Sequence, residues 1–82
     1  MVRGRVQGVF FRDSCARLAR GAGVAGWVRN RPDGAVEGWF EGPAPAVENL
    51  VTWCGNGPRH AAVAGVEVVE EPPTGLEGFR IQ

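Results

Sequence analysis

The sequence contains no lysine and no tyrosine, and it holds only one histidine, His60, and two cysteines, Cys15 and Cys54. One histidine and two cysteines that are not closely spaced are too few ligands for a structural zinc site. We therefore expect neither a metal nor a cofactor. Two thiols in a chain without an N-terminal leader are typical of a reducing compartment, so we expect both to be free. No apolar run approaches the ~18 residues of a membrane span, which predicts a cytoplasmic protein with no membrane partner.

Net charge is also lacking, because nine arginines and nine acidic residues cancel. Neutrality argues against nucleic-acid binding, which normally requires a broad basic field. The charges are uneven along the chain, however. Residues 1–31 hold seven arginines and one acidic residue, whereas residues 32–82 hold two arginines and eight acidic residues. Arginine presents a planar fork that matches phosphate oxygens, so the basic part is a candidate anion site, although solvated surface arginines explain the same asymmetry.

A chain of 82 residues can organise one core but not two, which predicts a single domain over residues 1–82. Hydrophobic periodicity and turn residues predict the order β-α-β-β-α-β, with one further short strand at the end. Right-handed crossovers would place both helices on one face, which predicts a two-layer α/β (α+β) sandwich of the ferredoxin-like type with an antiparallel sheet. The predicted elements are strands at Val2–Val6, Ala25–Arg31, Ala35–Glu41, Val63–Glu70 and Phe79–Ile81, a helix from Phe11 towards Ala22, and a second helix with Val47, Leu50, Val51 and Cys54 on its buried face.

Strand alternation predicts that Val36 and Phe40 face the helices, while Glu37, Trp39 and Glu41 face water.

The two helices are expected to run in the same direction, each after one of two parallel strands. Cys15, early in the first helix, and Cys54, at the end of the second, should then lie at opposite ends of the helical layer. Asp13 and Ser14 are expected to serve the exposed amides of the first helical turn.

The segment Gly4–Arg12 runs from the first strand into the first helix through a glycine turn and ends in an arginine at the start of the helix. The amides of such a loop, together with the positive end of the helix dipole, form a concave anion site that needs no metal. Arg12 would complete this site with its charge. Taken alone, the same pattern also fits an ordinary turn followed by a solvated arginine.

Three segments resemble the signatures of the acylphosphatase family. They are Gly4–Arg12 (GRVQGVFFR), Gly26–Asn30 (GWVRN) and Asp33–Glu37 (DGAVE), and the similarity extends over nearly the whole chain. The resemblance implies the ferredoxin-like fold and a hydrolase acting on acid anhydrides. Its reaction would be metal-independent hydrolysis of the carboxyl–phosphate bond of a small-molecule acyl phosphate, and we expect the protein to be a monomer.

The resemblance also implies roles for individual residues. Arg12 would bind the phosphate oxygens, and Asn30 would orient the attacking water. The backbone amides that would hold the phosphate belong to Gly8, Val9, Phe10, Phe11 and Arg12.

Other catalytic patterns fit the sequence less well. Cys54 precedes Arg59 by four intervening residues, one fewer than the C-x5-R loop of cysteine phosphatases contains, so Cys54 is interpreted as helix core. A triad of Asp13, Ser14 and His60 is disfavoured because adjacent side chains on a helix diverge.

Trp27, Trp39 and Trp53 could stack on nucleic-acid bases, but the basic-aromatic motif of RNA-recognition modules is absent. We interpret them as packing residues.

A non-catalytic ferredoxin-like module that binds anions or regulates another protein is the alternative hypothesis. The presence of both Arg12 and Asn30 favours the enzyme, since a phosphate binder has no need of an amide that positions water. Family members usually have several more residues before the position of Gly4, so we expect a short first strand here.

Overall fold

The structure is a computed structural model that describes residues 1–82. Its elements alternate between strands and helices in the predicted order. They are β1 (Val2–Arg5), α1 (Phe11–Ala22), β2 (Ala25–Asn30), β3 (Val36–Glu41), α2 (Ala44–Cys54), β4 (Ala62–Val66) and β5 (Phe79–Ile81).

The strands form one five-stranded sheet in the order β4-β1-β3-β2-β5. The pairs β1–β3, β1–β4 and β2–β3 are antiparallel, as predicted. The closing strand β5 adds to β2 in parallel, so the complete sheet is mixed. The ferredoxin-like α+β fold is confirmed, and β5 extends it by one short edge strand.

The strand predicted over residues 63–70 is shorter in the structure, where β4 spans Ala62–Val66. As an edge strand, β4 takes its ladder hydrogen bonds from β1 alone, and their register ends at the pair Val2↔Val66. The first strand is short, as expected, and pairs with β3 only through Val2↔Val36.

A cluster of 13 buried residues between the helices and the sheet forms the core. On β3, Val36 is buried and Phe40 packs against the core, whereas Glu37 bonds to Arg29 on the other face. The predicted alternation of this strand is confirmed. Neither helix is long and apolar enough to cross a membrane.

Gly26 allows β2 and β3 to pair closely. It has a φ of 141° and lies opposite Phe40 in the ladder. A Cβ atom at this position would overlap the carbonyl oxygen of Trp39, so only glycine fits.

The expected separation of the two cysteines is wrong. The helices follow β1 and β3, which are antiparallel, so α1 and α2 run in opposite directions and the start of α1 lies beside the end of α2. The rings of Phe11 and Trp53 are accordingly 5.1 Å apart. The buried thiols of Cys15 and Cys54 are free, as predicted, but they are close enough to interact. Interaction with Cys54, together with burial, raises the pKa of Cys15.

The carboxylate of Glu41, at the end of β3, anchors the segment between β4 and β5. It accepts hydrogen bonds from the Thr74 amide at 3.0 Å, the Thr74 hydroxyl at 2.8 Å and the Gly75 amide at 3.0 Å. Desolvation opposes the charged form, but the bonds from Thr74, Trp39 and Gly75 outweigh it and lower the pKa of Glu41 to about 2.

Glu41 should therefore make stability sensitive to acid. A carboxyl group with a lowered folded-state pKa stabilises the fold fully above its unfolded pKa of about 4.3 and loses that contribution as the pH falls towards its folded pKa. We expect Glu41→Gln to lower the urea midpoint at pH 7, and the difference from the parent protein to shrink between about pH 4.3 and the folded pKa of about 2. Glu48→Gln, on the exposed side of α2, is the control. A difference that stayed constant with pH would contradict this role.

Candidate active site

The loop between β1 and α1 is fixed at its base and open at its tip. Val6 and Val9 are buried in the core, whereas Gly8 and Phe10 are exposed. Gly8 (φ 73°) and Phe10 (φ 60°) are left-handed, and Val9 between them has a negative φ. Such alternation directs successive amides towards a common centre, which is the geometry of a backbone anion nest.

The amides around this turn are free to bind a ligand. The first hydrogen bond of α1 runs from the Ser14 amide to the Phe10 carbonyl at 3.0 Å, and none of the amides of residues 8–13 donates a hydrogen bond within the protein. The predicted capping by Asp13 and Ser14 is wrong, because α1 has no side-chain cap. The Asp13 carboxylate instead accepts a hydrogen bond from Arg17 at 2.9 Å, one turn along the helix. The dipole and free amides at this helix start therefore remain available to an anion.

A surface pocket of about 340 Å³ lies over this turn. Arg12 and Asn30 line it, together with three of the other residues whose amides were predicted to hold the phosphate: Gly8, Phe10 and Phe11. The complete lining is Val6, Gly8, Phe10, Phe11, Arg12, Asp13, Asn30 and Ile81. The structure thus brings every predicted site residue together except Val9, whose buried side chain lies in the core beneath the loop.

Arg12 and Asn30 are half-buried at this pocket and come from different elements. Arg12 forms no ion pair with an Asp or Glu side chain, and its Nη1 donates a hydrogen bond to the main-chain oxygen of Gln82 at 3.0 Å. Asn30 ends β2, where its backbone pairs with Val36, and its side-chain amide has no hydrogen bond within the protein. A cation without an Asp or Glu partner and a side-chain amide without a hydrogen bond therefore line one pocket next to free backbone donors.

The arginines of the β2–β3 hairpin, unlike Arg12, form ion pairs with carboxylates. Arg29 Nη2 lies 2.7 Å from Glu37, and its hydrogen bond to that carboxylate is the main cause that lowers the pKa of Glu37. Asp33 accepts a bond from the Ala35 amide at 3.1 Å, which with Arg3 lowers its pKa. Arg12, in contrast, lines the pocket and pairs with no Asp or Glu side chain.

A larger groove of about 880 Å³ elsewhere on the molecule suits phosphate less well. Its charged side chains are all acidic and would repel an anion: Glu37, Glu41, Glu48, Glu67, Glu70 and Glu71. No group of three His, Cys, Asp or Glu side chains is arranged to hold a metal ion.

Gln7 is a site residue that the sequence analysis missed. Its Nε2 donates to the Arg31 carbonyl at 2.8 Å and to the Ala35 carbonyl at 3.0 Å. These bonds tie the β1–α1 loop to the turn that follows Asn30, so they set the distance between the two halves of the pocket. The only indication in the sequence is a long polar amide between apolar residues of the loop, and its partners are about 25 residues away in the chain.

Replacing Gln7 by methionine keeps its length but removes both donors. We expect kcat/KM to fall by between about 10- and 100-fold, because small displacements of positioned groups are costly in catalysis. The two carbonyls would each keep a backbone donor, the Gly34 amide for Arg31 and the Arg31 amide for Ala35, so the free energy of unfolding should fall by only about 0.5–1.5 kcal/mol per lost bond. Asn49→Ala, an exposed amide on α2, is the control for both measurements. A Gln7→Met enzyme with parental kinetics would show that these bonds do not align the site.

Comparisons with known proteins agree with this arrangement. A family model described as acylphosphatase matches residues 1–81. The acylphosphatase of Rubrobacter xylanophilus is 61% identical over 82 residues, covering 99% of this chain and 74% of that protein. The acylphosphatase of Thermococcus kodakarensis is 55% identical over 80 residues, covering 98% of this chain and 88% of that protein. The crystal structure of acylphosphatase from Bacillus subtilis superposes with a TM-score of 0.94 at 39% identity, covering 99% and 91% of the two chains.

The family match extends over almost the entire chain, and the relatives are covered over most of their own length. The structural similarity is equally complete and includes the sheet, both helices and the loop between β1 and α1. The chain therefore belongs to the acylphosphatase family and is a hydrolase of acyl phosphates.

Proposed function

We propose that the pocket at the start of α1 binds the phosphate group of an acyl phosphate and that its carboxyl–phosphate bond is hydrolysed there without a metal or cofactor. The amides of residues 8–12 and the guanidinium of Arg12 would hold the phosphate oxygens, and the side chain of Asn30 would orient the attacking water. The observation that carries this proposal is that free backbone amides, an arginine without an Asp or Glu partner and a side-chain amide without a partner meet in one pocket.

In the proposed reaction, water attacks phosphorus in line with the leaving group. A bond forms between the water oxygen and phosphorus, while the bond between phosphorus and the acyl oxygen breaks and its electron pair leaves with the carboxylate. One water proton stays on the new P–OH group, and the other passes to a phosphate oxygen of the substrate. Phosphoryl transfer depends mainly on positioning and charge stabilisation, and a carboxylate leaves readily without a proton donor. The neutral Asn30 can therefore serve by positioning water and need not act as a strong base.

The alternative, a non-catalytic anion-binding module, requires the loop and Arg12 but leaves the side chain of Asn30 without a role. No observation favours it, and the relatives named acylphosphatase count against it. We further propose that the protein acts as a monomer in the cytoplasm and that residues 1–82 form one domain. All site residues come from one chain, and one contiguous core underlies them.

Phosphate release from acetyl phosphate and benzoyl phosphate, measured with and without a chelator, tests the proposed reaction. We expect the same turnover in both conditions. Activity that disappeared with chelator and returned with Mg²⁺ would contradict the metal-independent mechanism. Phosphate binding without hydrolysis of either compound would favour the non-catalytic module.

A further inference from the structure

Phe10 occupies an unfavourable position for a phenylalanine in two respects. It is the only residue other than glycine with a positive φ, 60°, and 78% of its surface is exposed. A bulky residue in the left-handed region is strained, whereas glycine adopts that conformation freely. Since its ring is exposed, core packing does not offset the strain. Residues that retain such strain concentrate at functional sites.

The position of Phe10 suggests what its ring contacts. Phe10 lines the same pocket as Arg12 and Asn30, and so does Ile81, which is 41% exposed. Ile81 is held on a regular element, because it pairs with Val28 of β2 and the neighbouring Phe79 carbonyl accepts two hydrogen bonds from Arg20. The pocket therefore combines a polar interior of amides and arginine with two exposed apolar side chains.

The two ends of an acyl phosphate match these two parts of the pocket. Its phosphate end is charged and would lie on the amides and Arg12, whereas its acyl end varies in size and polarity. In-line attack places the leaving acyl group on the side of phosphorus opposite the attacking water. The exposed apolar side chains of the pocket, Phe10 and Ile81, are the surfaces in the lining that suit an apolar acyl group.

We propose that Phe10 and Ile81 form the subsite for the acyl group and favour acyl phosphates with aromatic or long aliphatic acyl groups over acetyl phosphate. This inference rests on the proposed function of the pocket and goes beyond it by assigning the substrate class and the residues that select it. The ring of Phe10 would cover the apolar part of the acyl group and release the water around both.

The test is the ratio of kcat/KM for benzoyl phosphate to that for acetyl phosphate. Both substrates share the phosphate, so any general disturbance of the loop cancels in the ratio. We expect the parent enzyme to prefer benzoyl phosphate and Phe10→Ala to lower the ratio about tenfold, since apolar contacts of this size discriminate by roughly that factor. Ile81→Ala should lower it less, and Phe10→Tyr, which keeps the ring, should retain it.

Leu18→Ala is the matched control, because Leu18 is 44% exposed on α1 but does not line the pocket. A parent enzyme without preference would overturn the inference, and so would a ratio unchanged in both Phe10→Ala and Ile81→Ala. Those results would leave the proposed function intact, provided that both substrates are hydrolysed. Failure to hydrolyse either substrate would instead overturn the proposed function, and this inference with it.

Discussion

Replacement of Arg12 by lysine is expected to reduce kcat/KM for an acyl phosphate by about 100-fold or more, although the positive charge is kept. Lysine carries its charge as a single ammonium group and cannot form two parallel hydrogen bonds to a phosphate in the way that a guanidinium does. In this protein Arg12 is half-buried and is the one arginine that lines the pocket, so no neighbouring arginine can take its place.

Initial-rate kinetics and inhibition by inorganic phosphate measure the effect. Both the turnover and the affinity for phosphate should fall in Arg12→Lys. Arg17→Lys is the control, since Arg17 lies one turn along the same helix and is 80% exposed. If Arg12→Lys bound phosphate normally and turned over at nearly the parental rate, the proposed role of Arg12 would be wrong.

Asn30→Ala should have a different kinetic signature. If Asn30 only orients water, its removal affects the transition state more than bound substrate, so kcat should fall by about 100-fold while the affinity for phosphate changes little. The side chain of Asn30 makes no hydrogen bond within the protein, so its loss should leave the free energy of unfolding nearly unchanged.

The matched control for this variant is Asn56→Ala, an exposed asparagine in the turn after α2. Competitive inhibition by inorganic phosphate reports the affinity directly, and thermal unfolding reports the stability. A large loss of phosphate binding in Asn30→Ala would show that Asn30 holds the substrate and does not position water. Comparison of Arg12→Lys with Asn30→Ala therefore distinguishes binding of the phosphate from positioning of the attacking water.

The sequence by itself determined the order of elements, and it predicted the residues of the proposed site. Helical spacing of apolar residues, strand alternation and turns rich in glycine and proline are local properties, so α1, α2 and the β2–β3 hairpin could be predicted from them. The segment Gly4–Arg12 is similarly local, because one stretch of chain supplies the loop, the helix start and Arg12. The placement of Asn30 beside it followed from the family resemblance.

The tertiary structure decided the features that depend on elements distant in the chain. The antiparallel pairing of β1 with β3 sets the helices in opposite directions and brings Cys15 and Cys54 together. The two hydrogen bonds of Gln7 reach carbonyls of another element.

The length of β4 and the parallel addition of β5 depend on which strand lies alongside. The exposure of Phe10 and its left-handed backbone likewise result from how the loop is held by the core. Local preferences determine which elements form, but strand direction, register and long-range hydrogen bonds are settled only when those elements pack, because their partners are remote in the sequence.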